Sequence, residues 1–145
     1  MAIRREVFDA IGPMDEGYFL YFEEVDFCLR ARKAGWSCWF VPSARVMHLE
    51  GASTGILQGR RRRASYWYAS RRRYFVKASG LGGLFAADVM WAVGRLSLVL
   101  RRLLGLGGKN GRQDDPTWLA FDLLVGDIKA LVNGELLRIR RIANG

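Results

Sequence analysis

Apolar positions in the first third of the chain follow two different periods. The stretch RREVFDAIG at 4–12 has Val7, Phe8 and Ile11 spaced as on one face of a helix, and it closes at Gly12-Pro13, a helix-stop signal. The run YFLYF at 18–22 is instead continuous and aromatic, which is typical of a short buried strand. The pattern therefore predicts a helix followed by a strand.

A second helix and two further strands are predicted next. EEVDFCLRARKAG at 23–35 has acids in its first turn, basic residues near its end and Gly35 just beyond, so its charges match the helix dipole. WSCWFVP at 36–42 and ARVMHLE at 44–50 are short and rich in β-branched or aromatic residues, as strands are. The alternation of helices and strands predicts an α/β layered fold.

Beyond residue 80 the pattern is that of an amphipathic helix. Residues 81–104 are mostly apolar and are interrupted at Asp88, Arg95 and Arg102, which recur every seven residues and so predict one narrow polar stripe. These charges argue against a membrane-spanning helix. A helix of this kind lies in a membrane interface or is covered by protein.

The net charge of the chain indicates which kinds of molecule it binds. The formal net charge is +9 and the sequence pI is near 10.3, which favours anionic partners such as nucleic acid, nucleotide phosphates or an acidic membrane surface. Two cysteines, Cys28 and Cys38, and one histidine cannot form a disulfide framework or a zinc site. Reduced thiols inside the cell are therefore expected.

Three acids stand where the predicted strand at 18–22 meets the next helix. In an open α/β sheet, ligands bind at the carboxyl ends of strands, so Glu23, Glu24 and Asp26 are candidate catalytic groups. The alternative is that they only complement the helix dipole, which is the commoner role of acids in a first turn. Because adjacent helical residues diverge by about 100°, at most one of the two glutamates can be the reacting group.

His48 is the only histidine, and it ends a predicted strand in front of the glycine-containing loop LEGASTG. An imidazole in that position can bind a divalent metal or a phosphate. A lone histidine is more often structural, and both possibilities stay open on this pattern alone.

Two motifs together resemble a known family. GPMDEGYFLYFEEVDFCLRARKAGW at 12–36 and PSARVMHLEGAST at 42–54 are similar to the C-terminal half of the catalytic domain of family 2 glycosyltransferases, especially the rhamnosyltransferase-like branch of bacterial surface polysaccharide synthesis. The resemblance implies a GT-A fold, a nucleotide-diphospho-sugar donor, Mg²⁺ or Mn²⁺, and inversion at the anomeric carbon. It also implies a glycan or lipid-linked acceptor.

The same resemblance assigns roles to individual residues. The second acid of the family's paired-acid motif is its general base, which falls on Glu24, with Glu where Asp is usual. His48 falls on a ligand of the metal that holds the diphosphate. The residues implied to support the acceptor site are Glu23, Asp26, Arg30 and Trp36.

The resemblance covers residues 3–80 and leaves the nucleotide-binding half of the family unmatched. The Asp-x-Asp metal motif of that half is absent from the sequence. We therefore expect a fragment, either a truncated reading frame or one half of a split protein, that is inactive without a nucleotide-binding N-terminal half. Four segments are predicted: a partial GT-A domain at 1–80, an amphipathic helix at 81–104, a flexible linker at 105–116 and a C-terminal helical segment at 117–145.

Two other functions compete with glycosyl transfer. Arginine clusters at 60–63 and 71–73, with Tyr66 and Trp67 between them, could contact the phosphates of nucleic acid and stack on its bases. Because no recognised nucleic-acid motif is present, we expect no nucleic-acid partner. A non-catalytic membrane module is the other alternative.

A peripheral position at the inner face of a bacterial cell membrane is the expected localisation. Several cationic side chains near an anionic bilayer contribute about 1 kcal/mol each. The residues predicted to contact the membrane are Arg71, Arg72, Arg73 and Trp91.

Overall fold

A computed structural model describes residues 1–47, 62–106 and 118–144. The described parts contain five helices and no strand. The helices are α1 (Arg5–Ile11), α2 (Glu23–Lys33), α3 (Ser65–Leu103), α4 (Leu119–Val132) and α5 (Glu135–Asn144).

The two helices predicted in the first part are confirmed as α1 and α2. Gly12 follows α1 with φ +75° and donates its N–H to the carbonyl of Phe8. Gly35 lies just beyond α2 with φ +87°, a left-handed conformation that glycine adopts without steric cost. A small core joins the two helices, and its buried members are Val7, Phe27 and Ala31.

The predicted α/β fold is wrong for the described residues. Tyr21 and Phe22, inside the predicted strand at 18–22, have φ near +70°, which is incompatible with an extended strand. Trp39 and Phe40 of the second predicted strand are 84% and 89% exposed. A strand is stable only when its backbone pairs with a neighbour, and the described residues 36–47 pair with none. Aromatic content therefore indicated buried strands where the chain forms turns and extended, exposed backbone.

Gly80 divides α3 into two halves. Its φ of +71° and ψ of −170° interrupt the helical dihedrals, so the long helix is kinked there. Residues 65–79 precede the kink and contact the N-terminal part of the chain, while residues 81–103 follow it. Both halves of α3 pack against the C-terminal helices, and the half before the kink also contacts the N-terminal part of the chain.

A second core joins α3 to the C-terminal helices. Its buried residues come from α3, α4 and α5 and are Val76, Leu84, Ala130, Leu136 and Ile139. A neighbouring cluster consists of Tyr68, Leu119 and Leu123, with Trp91 packed against it. The C-terminal helices therefore cover one side of α3 on both sides of its kink.

Ion pairs inside this helical unit involve the three arginines that were predicted to contact a membrane, and that contact stays a prediction. Arg71 donates to Asp88 at 2.5 Å and to Asp127 at 3.4 Å, and the Arg71 side chain is only 7% exposed. Arg72 donates to the same Asp127 at 3.3 Å. Arg73 likewise pairs with an internal carboxylate, described below. These three arginines are held by the chain's own acids.

The first residue of the predicted polar stripe, Asp88, also faces inward. Asp88 lies in the ion pair with Arg71, and Trp91, one turn further on, packs against the cluster containing Leu119. The start of the stripe is therefore covered by protein, which was one of the two arrangements that the sequence pattern allowed, whereas Arg102 at its end is exposed. Residues 107–116 of the predicted linker at 105–116 lie outside the described residues.

Candidate active site

The paired acids lie in the first turn of α2, directly after a sharp reversal of the chain. Tyr21 and Phe22 produce the reversal through their left-handed backbone conformation, which costs a non-glycine residue about 1–3 kcal/mol. Helix α2 has no side-chain hydrogen bond at its N-cap. Its first-turn carboxylates therefore provide the favourable interaction with the helix dipole.

The three acids occupy different environments. Asp26 is 2% exposed, whereas Glu24 is exposed and has no hydrogen-bond partner among the described residues. Glu23 is partly buried, and its Oε2 is buried without a hydrogen-bond partner among the described residues. A buried carboxylate oxygen without a partner is unusual in a native protein. Asp26 is therefore held by the chain's own donors, Glu24 is open to the surroundings, and Glu23 has one buried oxygen without a partner among the described residues.

Asp26 is locked by three donors from three parts of the chain. It accepts hydrogen bonds from the hydroxyl of Tyr18 at 3.2 Å and from Nε of Arg30 at 3.0 Å. Nζ of Lys77, on α3, lies 2.8 Å from Asp26 Oδ1. Because all three donors converge on one buried carboxylate, Asp26 fixes the start of α2 to the first half of α3.

A second carboxylate completes this network. Asp15 accepts two hydrogen bonds from Arg73, at 3.0 and 2.8 Å, and one from Lys77 at 2.6 Å. The backbone N–H of Gly17 also donates to Asp15 at 2.8 Å. Lys77 therefore bridges Asp15 and Asp26, and it ties the loop before α2 to α3.

The network shifts two pKa values. Burial alone would raise the pKa of Asp15, but the hydrogen bonds from Arg73 and Lys77 outweigh it and hold that pKa well below its usual range. Burial, followed by the charge of Asp26, raises the pKa of the Tyr18 phenol far above its usual range. Tyr18 is therefore a neutral donor to Asp26 at all physiological pH values.

Asp15→Asn should destabilise the fold by about 2 kcal/mol or more, because Arg73 and Lys77 would lose their charged acceptor. A carboxyl group whose pKa is lowered in the folded state stabilises the protein above its unfolded pKa. That stabilisation is lost as the pH falls from about 4 towards the folded pKa. Urea unfolding at several pH values measures both effects. Equal stability of the two proteins at pH 7 would contradict the role of Asp15.

Arg30 and Trp36 have structural roles in the described residues. Arg30 donates to the carbonyls of Ile11 at 2.7 Å and Pro13 at 2.8 Å, which satisfies backbone acceptors at the end of α1. Trp36 packs against the core between α1 and α2, with the guanidinium of Arg4 5.6 Å from its ring. That both residues support an acceptor site stays a prediction, and their contacts account for them without a ligand.

Aromatic rings lie on the turn that carries the acids. The Tyr21 ring stacks on that of Tyr66 at a centroid distance of 6.3 Å, and Phe22 stacks on Tyr74 at 5.6 Å. Phe19 packs against Tyr66 at 5.3 Å and is 80% exposed. The turn is thus held against α3 by ring contacts, with one large ring left facing outward.

The described residues provide no place for a metal ion. They contain no cluster of three or more His, Cys, Asp or Glu side chains that could hold one. His48, the predicted ligand, lies outside the described residues. The predicted Mg²⁺ or Mn²⁺ therefore has no fitting site in this part of the chain, and we assign it no step.

Comparison with known proteins identifies the region that carries the acids. The family model described as "Glycosyltransferase like family 2" matches residues 1–70. Residues 1–70 are therefore a region that resembles family 2 glycosyltransferases. The resemblance predicted from the two motifs is confirmed, and the region includes α1, α2, the paired acids and the start of α3.

Individual family 2 relatives agree with this assignment. The chain is 39% identical over 102 residues, 70% of its length, to an N-acetylglucosaminyl-diphospho-decaprenol L-rhamnosyltransferase of Mycobacterium tuberculosis. It is 38% identical over 48 residues, 33% of its length, to the rhamnosyltransferase WbbL of Escherichia coli and covers 18% of that protein. The chain spans 31% of the length of the mycobacterial relative. No solved structure matches the chain.

Asp15, Tyr18 and Lys77 are site residues that were not singled out from the sequence. Asp15 and Tyr18 lie within the motif that carries the family resemblance, and Lys77 follows Arg73 by four residues on the same helical face. The four-residue spacing of Arg73 and Lys77 indicates that the two cations can bind the same carboxylate. The partner itself, Asp15, lies 62 residues from Lys77, so only the fold could reveal it.

Proposed function

We propose that the chain takes part in the transfer of a sugar from a nucleotide-diphospho-sugar to a glycan or lipid-linked acceptor. The observation that carries the proposal is the position of Glu24, an exposed carboxylate at the start of a helix within the family 2 region. The relatives' names, which describe rhamnosyl transfer to a diphospho-lipid, support this class of reaction.

In this proposal Glu24 is the general base. Its carboxylate takes the proton from the acceptor hydroxyl as that oxygen bonds to the anomeric carbon, and the nucleoside diphosphate leaves with the electron pair of the broken bond. A positioned base contributes about 10²–10⁴-fold to such a step. Asp26 cannot take this part, because Arg30 and Lys77 occupy its oxygens.

The network around Asp26 supports the proposal by making α2 rigid. A base is effective only when it is held in a narrow range of positions, and Glu24 lies two residues from the locked Asp26. Glu23, whose Oε2 is buried without a partner among the described residues, supports acceptor binding by accepting a second sugar hydroxyl once its side chain turns outward.

No specific observation favours the nucleic-acid alternative. Arg62 pairs with Asp122, and Arg63 lies over the ring of Trp67 at 4.6 Å. Arg71–Arg73 are directed inward as described above. The arginines that suggested a phosphate-binding surface are thus largely engaged within the chain wherever the structure describes them.

The direct test is sugar transfer to a lipid extract from bacterial membranes. The chain is assayed alone and fused behind the N-terminal part of the mycobacterial relative, with radiolabelled nucleotide-diphospho-sugars as donors. We expect the fusion to transfer label to a lipid-linked product. Failure of both proteins, while the intact relative is active in the same assay, would refute the proposal. The dependence of the fusion on Mn²⁺ or Mg²⁺ tests the predicted cofactor.

A further inference from the structure

The second half of α3 is arranged with its charges inside and its apolar side chains outside. Within residues 81–100 the charged residues are Asp88 and Arg95, which share the covered side of the helix. Asp88 is held there by Arg71. The opposite side exposes large apolar side chains to the surroundings: Phe85, Met90, Val93, Leu96, Leu100 and Leu103.

Helix α4 repeats the same arrangement. Its two acids face inward, Asp122 towards Arg62 and the hydroxyl of Tyr68, and Asp127 towards Arg71. Its outward side is apolar apart from the exposed Lys129, with exposed Phe121, Leu124, Ile128, Leu131 and Val132. We call the outward sides of residues 81–103 and of α4 together the outer apolar surface.

We propose that the outer apolar surface is embedded in the acyl-chain region of a lipid bilayer. In water-soluble helical proteins the polar side faces solvent, whereas ionisable residues within a membrane face the interior of the helical unit and pair with one another. Arg71 and its two aspartates follow the second pattern.

The length of the outer apolar surface matches the thickness of a lipid bilayer. Residues 81–100 form a helical stretch of about 30 Å, close to the thickness of about 30 Å of a bilayer's hydrocarbon core. The exposed Arg101 and Arg102 follow directly, where cationic side chains can reach lipid headgroups. Among the described residues, α3 is the one helix long and apolar enough to cross a membrane, and only 6% of its most apolar stretch is buried.

Lipid accounts for the surface better than a second copy of the chain does. Protein interfaces generally carry a polar rim around an apolar centre. Here the apolar exposure extends along the whole of residues 81–100 and around most of the circumference, with no charged residue on that side. This inference is independent of the catalytic role of Glu24.

Vesicle flotation tests the proposal. The full chain is purified in detergent and reconstituted with vesicles of neutral phosphatidylcholine. We expect flotation that persists at about 1 M salt, where electrostatic attraction reaches only about 3 Å. Binding confined to acidic vesicles and lost in salt would place the chain at headgroups only and would overturn the proposal.

Paired lysine substitutions locate the surface. Phe85→Lys with Leu96→Lys should lower partition into neutral vesicles by at least about 100-fold, since each lysine would enter the acyl region. The matched control is Phe40→Lys with Val46→Lys, at positions 89% and 87% exposed but outside the helices, and it should float like wild type. Equal flotation of the two variants would overturn the proposal.

Two further measurements separate lipid binding from misfolding and from self-association. Circular dichroism in micelles checks that the variants keep their helix content, and Met90→Lys with Leu100→Lys replaces the first pair if that pair does not fold. Sedimentation without lipid tests for self-association. Wild type would overturn the proposal if it formed a defined oligomer that does not bind vesicles, and if the lysine variant could not form that oligomer. The surface would then bind a second copy of the chain.

Discussion

Glu24→Gln should lower the turnover of sugar transfer by at least about 100-fold in the fusion with the relative's N-terminal part, while binding of the donor persists. Gln keeps the size of the side chain but cannot accept the proton of the acceptor hydroxyl, so only the base function is removed. Turnover is measured with saturating donor and acceptor, and donor binding by titration calorimetry.

Neighbouring acids provide matched controls for this result. Glu23→Gln should raise the KM for the acceptor more than it lowers kcat, because Glu23 is placed to bind and not to remove a proton. Asp26→Asn should weaken folding, since Lys77 and Arg30 would lose a charged partner. If Glu24→Gln turns over at a rate near that of wild type, or if Glu23→Gln is the slower enzyme, the assignment of the base is wrong.

Arg71→Ala should destabilise the helical unit by about 3–5 kcal/mol. Removing one partner from a buried ion pair leaves the other charge without compensation, and Arg71 serves both Asp88 and Asp127. Its ring contact with Phe75 at 5.1 Å would be lost as well. Thermal unfolding, followed by helix circular dichroism, measures the change.

Two comparisons separate the ion pair from other effects of the substitution. Arg138→Ala removes an exposed arginine of α5 and should change stability by less than about 0.5 kcal/mol. Combining Arg71→Met with Asp88→Leu and Asp127→Leu should recover much of the lost stability, because no buried charge would then remain unpaired. If Arg71→Ala is no more harmful than Arg138→Ala, the arginine lies at the surface and the inward arrangement is wrong.

The family motif around Asp26 and Arg30 gains a physical meaning from these contacts. The Asp26 and Arg30 side chains pair at 3.0 Å one helical turn apart, and Arg30 also holds the end of α1. The pair therefore fixes the position of α2. Glu24, two residues before Asp26, stays exposed on α2, whose position is fixed by the contacts of Asp26 and Arg30. Within one short motif, structural and chemical functions are assigned to different acids.

Local signals in the sequence determined the two N-terminal helices and the position of the acids. Apolar spacing and glycine stops act within a few residues, so α1 and α2 could be predicted without knowing their partners. The same locality accounts for the wrong strands, because a strand depends on pairing with distant backbone and aromatic content only indicates an apolar surrounding. The family region was also recognisable, since its motif lies within one continuous stretch.

Only the tertiary structure decided what the charges do. Asp15 and Lys77 are 62 residues apart, and Arg71 and Asp127 are 56 apart, so no local pattern relates them. The sequence showed arginine clusters and a polar stripe, which suit either lipid phosphates or internal carboxylates. Burying a charge without a partner is costly, so the packing of α4 against α3 turned the arginines inward, onto acids contributed by both helices. The apolar side of the same helices was left facing outward as a consequence.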